Sequence, residues 1–269
     1  MLGSTSTRRP RSNDMATRLG LMAFLLLGLV IFPARSSNSQ QESAPASRFL
    51  DPAGDWVSHC APPPASESEQ FRQEAAVMLW LQRTRNSMSI DQAWHYSNVG
   101  ISSFQDPVGY PIEQVHCVDL AIAFEDVLRE ATSILHKVKS HFQRIRPYQQ
   151  IRELDPALPQ PSSSGYPSGH AMRGMLAGML LAELIPERSD DIMARAELIG
   201  DLRVVVGLHY PSDVIEGRRL GRLIADKVIE SEQWKDLVRE QAATIEFIRR
   251  MSRQTHGEAP PAAGGKQPG

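Results

Sequence analysis

The sequence predicts an all-α fold, on three observations. Apolar residues recur at helical spacing in segment after segment from Glu67 onward. No stretch shows a convincing strand alternation, and there is no internal repeat. Proline and serine cluster between the periodic segments rather than inside them. With 269 residues, 41% hydrophobic and 22% charged, the chain has the size and composition of one globular domain with extensions.

The elements follow in chain order. Arg8, Arg9, Arg11 and Arg18 precede an apolar run from Leu19 to Phe32, which ends in Pro33, Ala34, Arg35 and Ser36. A charged start, a short apolar centre and a small-residue exit read as an export signal over residues 1–36, with Met15 as an alternative start. The expected location is the periplasm or outside the cell, and the alternative is a retained N-terminal membrane anchor. The Arg8-Arg9 pair followed by Pro10 fits twin-arginine export poorly. Residues 37–60 are expected to form a flexible segment, and Pro62-Pro63-Pro64 a rigid entry. Phe71, Ala75, Met78, Leu79 and Leu81 predict a helix over residues 67–85. The longest pattern, residues 111–142, runs through Ile112, Val115, Val118, Ala121, Phe124, Val127, Leu128, Ala131, Ile134, Leu135 and Val138. Residues 148–167 read as a loop. Helical patterns return at 168–185, 189–206, 211–230 and 231–250, with Ser189 and Ser231 as N-terminal signals. The helical domain thus spans 61–250, and residues 251–269 read as a disordered tail. Met172, Met175 and Met179 read as core packing. Gly174-x3-Gly178 reads as a close approach of two helices.

The net charge of −2 argues against nucleic acid as a partner, because such binding needs a basic surface. Cys60 and Cys117 fit either one disulfide or two buried thiols. His136 and His141 lie five residues apart, a poor spacing for a shared metal, and read as surface or pocket-rim residues. The sequence leaves a homo-oligomer open.

Three short stretches carry chemistry. In "KSHFQRIRP", Lys139 and Arg146 stand seven residues apart, so two cations on one helix face can reach one point. A basic last turn that complements the helix dipole is the plain alternative. In "GYPSGHAMRG", Pro167 and Ser168 set up a helix start. Its free N–H groups at Gly169 and His170 make an anion site, although a capped helix with a surface histidine fits as well. In "RVVVGLHYPSD", Asp213 stands four residues after His209, where a carboxylate on one imidazole nitrogen leaves the other free as a nucleophile. A His–Asp pair that only caps the helix is the alternative. Arg203 precedes this pair. Read together, three cations, a helix N-terminus and an activated histidine are suited to bind a phosphate-like dianion and attack it.

Lys139-x6-Arg146-Pro147, Pro167-Ser168-Gly169-His170 and Arg203-x5-His209-x3-Asp213, in this order, resemble the three-part signature of the type 2 phosphatidic acid phosphatase superfamily. That superfamily also includes bacterial class A non-specific acid phosphatases and vanadium haloperoxidases. "APPPASESEQFRQEAAVMLWLQRTRN" and "LLAELIPERSDDIMARAELIGDLR" are similar to the class A acid phosphatases, so the resemblance covers roughly residues 61–235. Leu202 stands where the family usually has Ser. Ala171 stands where the acid phosphatases usually have Thr, and it is followed by Met172 and an unusual Arg173.

The resemblance implies a helical-bundle domain of this superfamily's type and an acid phosphatase acting on small phosphomonoesters, with phosphate or vanadate as a ligand and no metal or cofactor. It implies phosphate binding by Lys139, Arg146, Ser168, Gly169 and Arg203. His209 would attack phosphorus to form a phosphohistidine, Asp213 would orient His209, and His170 would protonate the leaving group and then activate water. Activity is expected to be best at mildly acidic pH. The alternatives that use the same pocket are a vanadate-dependent haloperoxidase and a lipid-phosphate phosphatase.

Overall fold

The computed structural model describes residues 48–257. The export signal expected over 1–36 lies outside the described residues, as do residues 37–47 and 258–269.

Among the described residues all regular structure is helical. Helix α1 (Glu69–Thr84) is capped by Ser68, whose side chain accepts from the Phe71 N–H. Helix α2 (Ser87–His95) starts at a capping box, with Asn86 and Ser89 each accepting the other's backbone N–H. The sequence pattern missed it because "SMSIDQAWH" offers too few apolar residues to show a period. After the single turn α3 (Gln105–Val108) comes the longest helix, α4 (Val118–Phe142). It begins seven residues later than its apolar pattern. Ile112 is buried ahead of it, and Val118 and Ile122 are half exposed, so the pattern runs on through a loop. Leu120, Phe124, Val127, Leu128, Ala131, Ile134, Leu135 and Val138 form the buried stripe.

Helix α4 stops at Phe142. Gln143 adopts a left-handed conformation, φ 47°, and its N–H closes on the Lys139 carbonyl. Lys139 and Arg146 therefore do not share one helix, as their spacing suggested. Arg146 is extended, as suits a residue before proline, and precedes the single turn α5 (Pro147–Gln150).

Helices α6 (Gly169–Leu184), α7 (Ser189–Val205) and α8 (Pro211–Glu230) are the centre of the fold, with α6 packed along both of the others. The approach is close. A Cβ on Gly178 would lie 2.7 Å from the Ala196 Cβ on α7, and one on Gly217 of α8 would run into the Ser168 carbonyl at the start of α6. The Gly174-x3-Gly178 pair is thus a helix-packing device, and Met172 and Met175 are core residues. The pattern over 231–250 resolves into two helices, α9 (Glu232–Glu240), capped by Ser231, and α10 (Ala242–Thr255). They part at Gln241, which carries no glycine or proline signal.

Both ends of the described region differ from expectation. The Arg48, Phe49 and Leu50 N–H groups donate to the buried carboxylate of Glu130 on α4, at 2.6, 3.0 and 3.0 Å. Phe49 also packs edge-on to Trp234 of α9. The part of 37–60 that is described is therefore packed, not flexible, because a buried carboxylate needs those donors. Helix α10 runs five residues past the expected end at 250, and Ser252 is fully buried. Cys60 and Cys117 are both buried and unbridged. Among the described residues no helix is long and apolar enough to cross a membrane.

Candidate active site

The end of α4, the start of α6 and the α7–α8 junction meet at one cavity of about 280 Å³. Its wall includes Lys139, Arg146, Gly169, His170, Arg203 and His209, so six of the eight residues singled out in the sequence line it together. The other two stand directly behind. Ser168 is buried; its Oγ accepts from the Ala171 N–H at 3.5 Å and caps α6. Asp213 is fully buried beneath His209. No aspartate or glutamate is among the residues lining the cavity.

His209 has defined partners on both ring nitrogens. Nδ1 is 3.2 Å from Asp213 Oδ2, and Nε2 is 3.2 Å from Arg146 Nη1. A guanidinium can only donate, so Nε2 carries the lone pair and Nδ1–H donates to the carboxylate. That tautomer directs a nucleophilic nitrogen toward the cations. Burial, reinforced by Arg146, Lys139 and Arg203, pushes the His209 pKa well below its ordinary value, so the ring is neutral.

The Asp213 carboxylate also accepts from the Tyr210 N–H at 2.9 Å, as a helix cap does. The two sequence readings of the His–Asp pair, cap and orienting carboxylate, are both realised by one side chain. Burial pushes its pKa up to about 6 against the pull of a cation that sequence reasoning missed, Arg144. Arg144 Nη1 donates to Asp213 Oδ1 at 2.5 Å and to Ser212 Oγ at 2.7 Å. Its Nη2 donates to Glu74 Oε2 at 3.1 Å, and Glu74 Oε1 accepts the Ser212 N–H at 2.6 Å. The guanidinium stacks 4.1 Å from the Tyr210 ring. Arg144 lies two residues before Arg146 and could have been noticed as a third cation of that stretch. Glu74 stands three residues after Phe71 and four before Met78, so a carboxylate on the apolar face of α1 is the signal that could have found it.

The cavity cations are held by neutral oxygens. Lys139 Nζ donates to the Ser164 carbonyl at 2.6 Å, and Arg146 Nε to the Ser163 carbonyl at 2.8 Å. Arg203 Nη2 donates to the Ala93 carbonyl, while its buried Nε has no hydrogen-bond partner in the protein. Burial, then Arg146, brings Lys139 down to about 7, and burial brings Arg203 to about 10. Positive charge gathered this densely favours an anion among it. His170 Nε2 donates to the Ser97 carbonyl at 3.0 Å, which leaves Nδ1 as the nitrogen that can exchange a proton. Burial, followed by Arg203 and His209, holds His170 down at about 3.

Three residues that the sequence left unassigned, and two that it set at the rim or pocket mouth, His136 and Arg173, complete the wall. Ser97, Asn98 and Val99, after α2, form one side, and exposed His136 and half-buried Arg173 stand at the rim. Ser97 and Val99 contribute carbonyls, which no side-chain pattern reveals. Among the described residues no group of three or more His, Cys, Asp or Glu is placed to hold a metal ion.

Comparison with known proteins places these observations in a family. Residues 119–235 match the PAP2 superfamily. A non-specific acid phosphatase from Providencia stuartii is 26% identical over 169 residues, 58% of this chain and 67% of that protein. An acid phosphatase from Zymomonas mobilis is 26% identical over 200 residues, 68% of this chain and 73% of that protein. The crystal structure of the first bacterial vanadium-dependent iodoperoxidase aligns at a TM-score of 0.49 and 19% identity, over 63% of this chain and 51% of that one. The segment that matches the PAP2 superfamily holds all three motifs and every cavity cation.

Proposed function

We propose that the protein is an acid phosphatase that hydrolyses small phosphomonoesters without a metal, through a phosphohistidine on His209. The observation that carries this is the neutral His209, donating to buried Asp213 and presenting Nε2 to a cavity whose wall holds Lys139, Arg146 and Arg203 and no carboxylate. The names of the Providencia and Zymomonas relatives point the same way.

In this reading the phosphoryl oxygens sit against Lys139, Arg146 and the free Nε of Arg203, with the Gly169 N–H at the α6 terminus as a further donor. They draw Arg146 off His209 Nε2. That nitrogen attacks phosphorus in line, the ester P–O bond breaks, and the proton stays on Nδ1 with ionised Asp213 as the counter-ion of the ring. Asp213 is itself held by Arg144. The leaving alkoxide takes its proton from His170 Nδ1. Water then attacks the phosphohistidine, gives its proton to His170 and releases phosphate.

Because the protein's own groups hold His170 near 3, the proton reaches the site with the substrate. A phosphomonoester monoanion, whose second pKa is about 6, supplies it. This accounts for an acid optimum.

Residues 1–36 are proposed as a signal that exports the enzyme; a mature N-terminus measured by mass spectrometry tests it. For the activity, the assay is hydrolysis of an aryl phosphate at pH 5–7 with chelator present, against His209→Ala. Hydrolysis lost in the variant is the expected result. An unmutated protein that brominates with vanadate and peroxide but hydrolyses nothing would overturn the proposal in favour of the haloperoxidase.

A further inference from the structure

The phosphoryl group has its cations in Lys139, Arg146 and Arg203. The cavity wall nevertheless carries a fourth, Arg173, which stands one turn along α6 from His170. We propose that Arg173 is a specificity residue: it binds a second anionic group, a carboxylate or phosphate, on the leaving group of the substrate. The preferred phosphomonoesters are then those with another negative charge a few bonds from the ester oxygen. This rests on the phosphatase reading and names its substrate class.

Position supports it first. Residues three apart on a helix have their Cβ atoms about 5–6 Å from each other. Gly169 offers its N–H to the phosphoryl group, and His170 serves the ester oxygen. Arg173 is next along the same face, on the side where the leaving group departs.

The tether supports it next. Arg173 Nε and Nη2 donate to the Val99 carbonyl at 2.9 and 2.6 Å, and Nη1 donates to Thr132 Oγ1 at 3.1 Å. Every partner is a neutral oxygen. Three of the five N–H groups are used, so one hydrogen on each Nη remains to donate to a carboxylate or phosphate. The side chain is half-buried, which fixes it and weakens solvent screening. Burial lowers its pKa, with Glu125 opposing, and the guanidinium keeps its charge.

The charge of the wall completes the argument. No carboxylate on the wall answers Arg173, and exposed His136 and Asn98 share its rim. Glu125 acts on Arg173 from behind the wall without a hydrogen bond to it, so a substrate with a neutral leaving group leaves the free N–H groups of Arg173 without an anionic partner, whereas an anionic one pairs with them.

Binding decides the proposal without turnover. Affinities of phosphonopropionate and propylphosphonate, which differ in one carboxylate, are measured by calorimetry at pH 6 on the wild type, Arg173→Gln and Arg173→Lys. Glutamine can still donate to Val99, and lysine keeps the charge. The wild type is expected to favour phosphonopropionate about tenfold, as a charge-assisted contact does. The lysine variant should keep most of that ratio and the glutamine variant lose it. A wild-type ratio near one, or the same ratio in wild type and Arg173→Gln, overturns the proposal. The kcat/KM ratio for phosphoglycerate over glycerol phosphate should follow the binding ratio. If neither ester is hydrolysed while the binding ratio behaves as expected, the second-anion site stands and the phosphatase reading falls.

Discussion

Replacing Arg144 by methionine tests how much of the nucleophile's power comes from a residue that does not line the cavity. Methionine keeps much of the side chain's length and removes its charge. Asp213 loses the 2.5 Å bond from Nη1, and Glu74 loses its ion pair at 3.1 Å, both in buried surroundings. Breaking a buried pair by removing one partner costs about 3–5 kcal/mol of stability. For a domain of this size that is a fall in Tm of roughly 6–20 °C. The catalytic effect has a different signature. Asp213 keeps only the Tyr210 N–H and His209 Nδ1, so its pKa climbs above about 6 and the neutral acid no longer balances charge on His209. A positioning residue of this kind is worth about 10–100-fold in kcat. KM should stay within about threefold, since truncating a group that does not touch substrate leaves ground-state binding in place. The assay is kcat against pH, 15 °C below the variant's Tm, for Arg144→Met, Arg144→Lys and Asp213→Asn. The acid limb of Arg144→Met should move to higher pH, and lysine should recover part of both kcat and the limb. An unshifted limb with unchanged kcat would refute the reasoning, as would a tenfold rise in KM at constant kcat, which would put Arg144 on the substrate.

Three further outcomes follow from the same geometry. Phosphate or vanadate at 100 times its Kd should stabilise the protein by about 2.7 kcal/mol, which at this size raises Tm by roughly 5–10 °C in thermal denaturation; no shift would mean the cations do not form an anion site. The profile of kcat/KM against pH should peak near 6. Asp213 works ionised, so activity rises through about 6; the substrate monoanion is lost through about 6 and protonated Lys139 through about 7, so activity falls above that range; a plateau beyond pH 8.5 would contradict this. Gly217→Ala should destabilise the protein by about 1–3 kcal/mol through overpacking and lower kcat/KM, because its Cβ meets the Ser168 carbonyl at the helix start that carries Gly169 and His170; wild-type melting and rates would show that the α6–α8 approach has slack.

The part of the site legible in the sequence is the part built from side chains at fixed local spacing. His209 and Asp213 are four residues apart across the start of α8, and Ser168, Gly169 and His170 are consecutive, so their relation is largely local. Lys139 and Arg146 converge for a different reason than their spacing suggested, since Gln143 ends the helix between them and the Ser163 and Ser164 carbonyls gather the two cations. What stayed hidden is non-local. The Glu74–Arg144–Asp213 chain links α1 to α8, and the Ser97 and Val99 carbonyls that hold His170 and Arg173 are backbone groups common to every residue type. The fold shows the same division. Apolar periodicity located α1 and α8 within a few residues, whereas α6 and α7 have little amphipathic contrast and were bounded by Ser168 and Ser189 at their starts. Helix α2 is too short to show a period, and the break at Gln241 carries no sequence signal.

The most direct test of the central claim is to trap the phosphoenzyme. His170→Ala should slow the water step, so this variant is mixed with an aryl phosphate, quenched at alkaline pH within the first turnover and digested for mass spectrometry. A single phosphoryl group on the peptide containing His209, absent when His209→Ala is added, is the expected result. Stoichiometric release of aryl alcohol with no modified histidine, or a phosphoryl group on another residue, would contradict it.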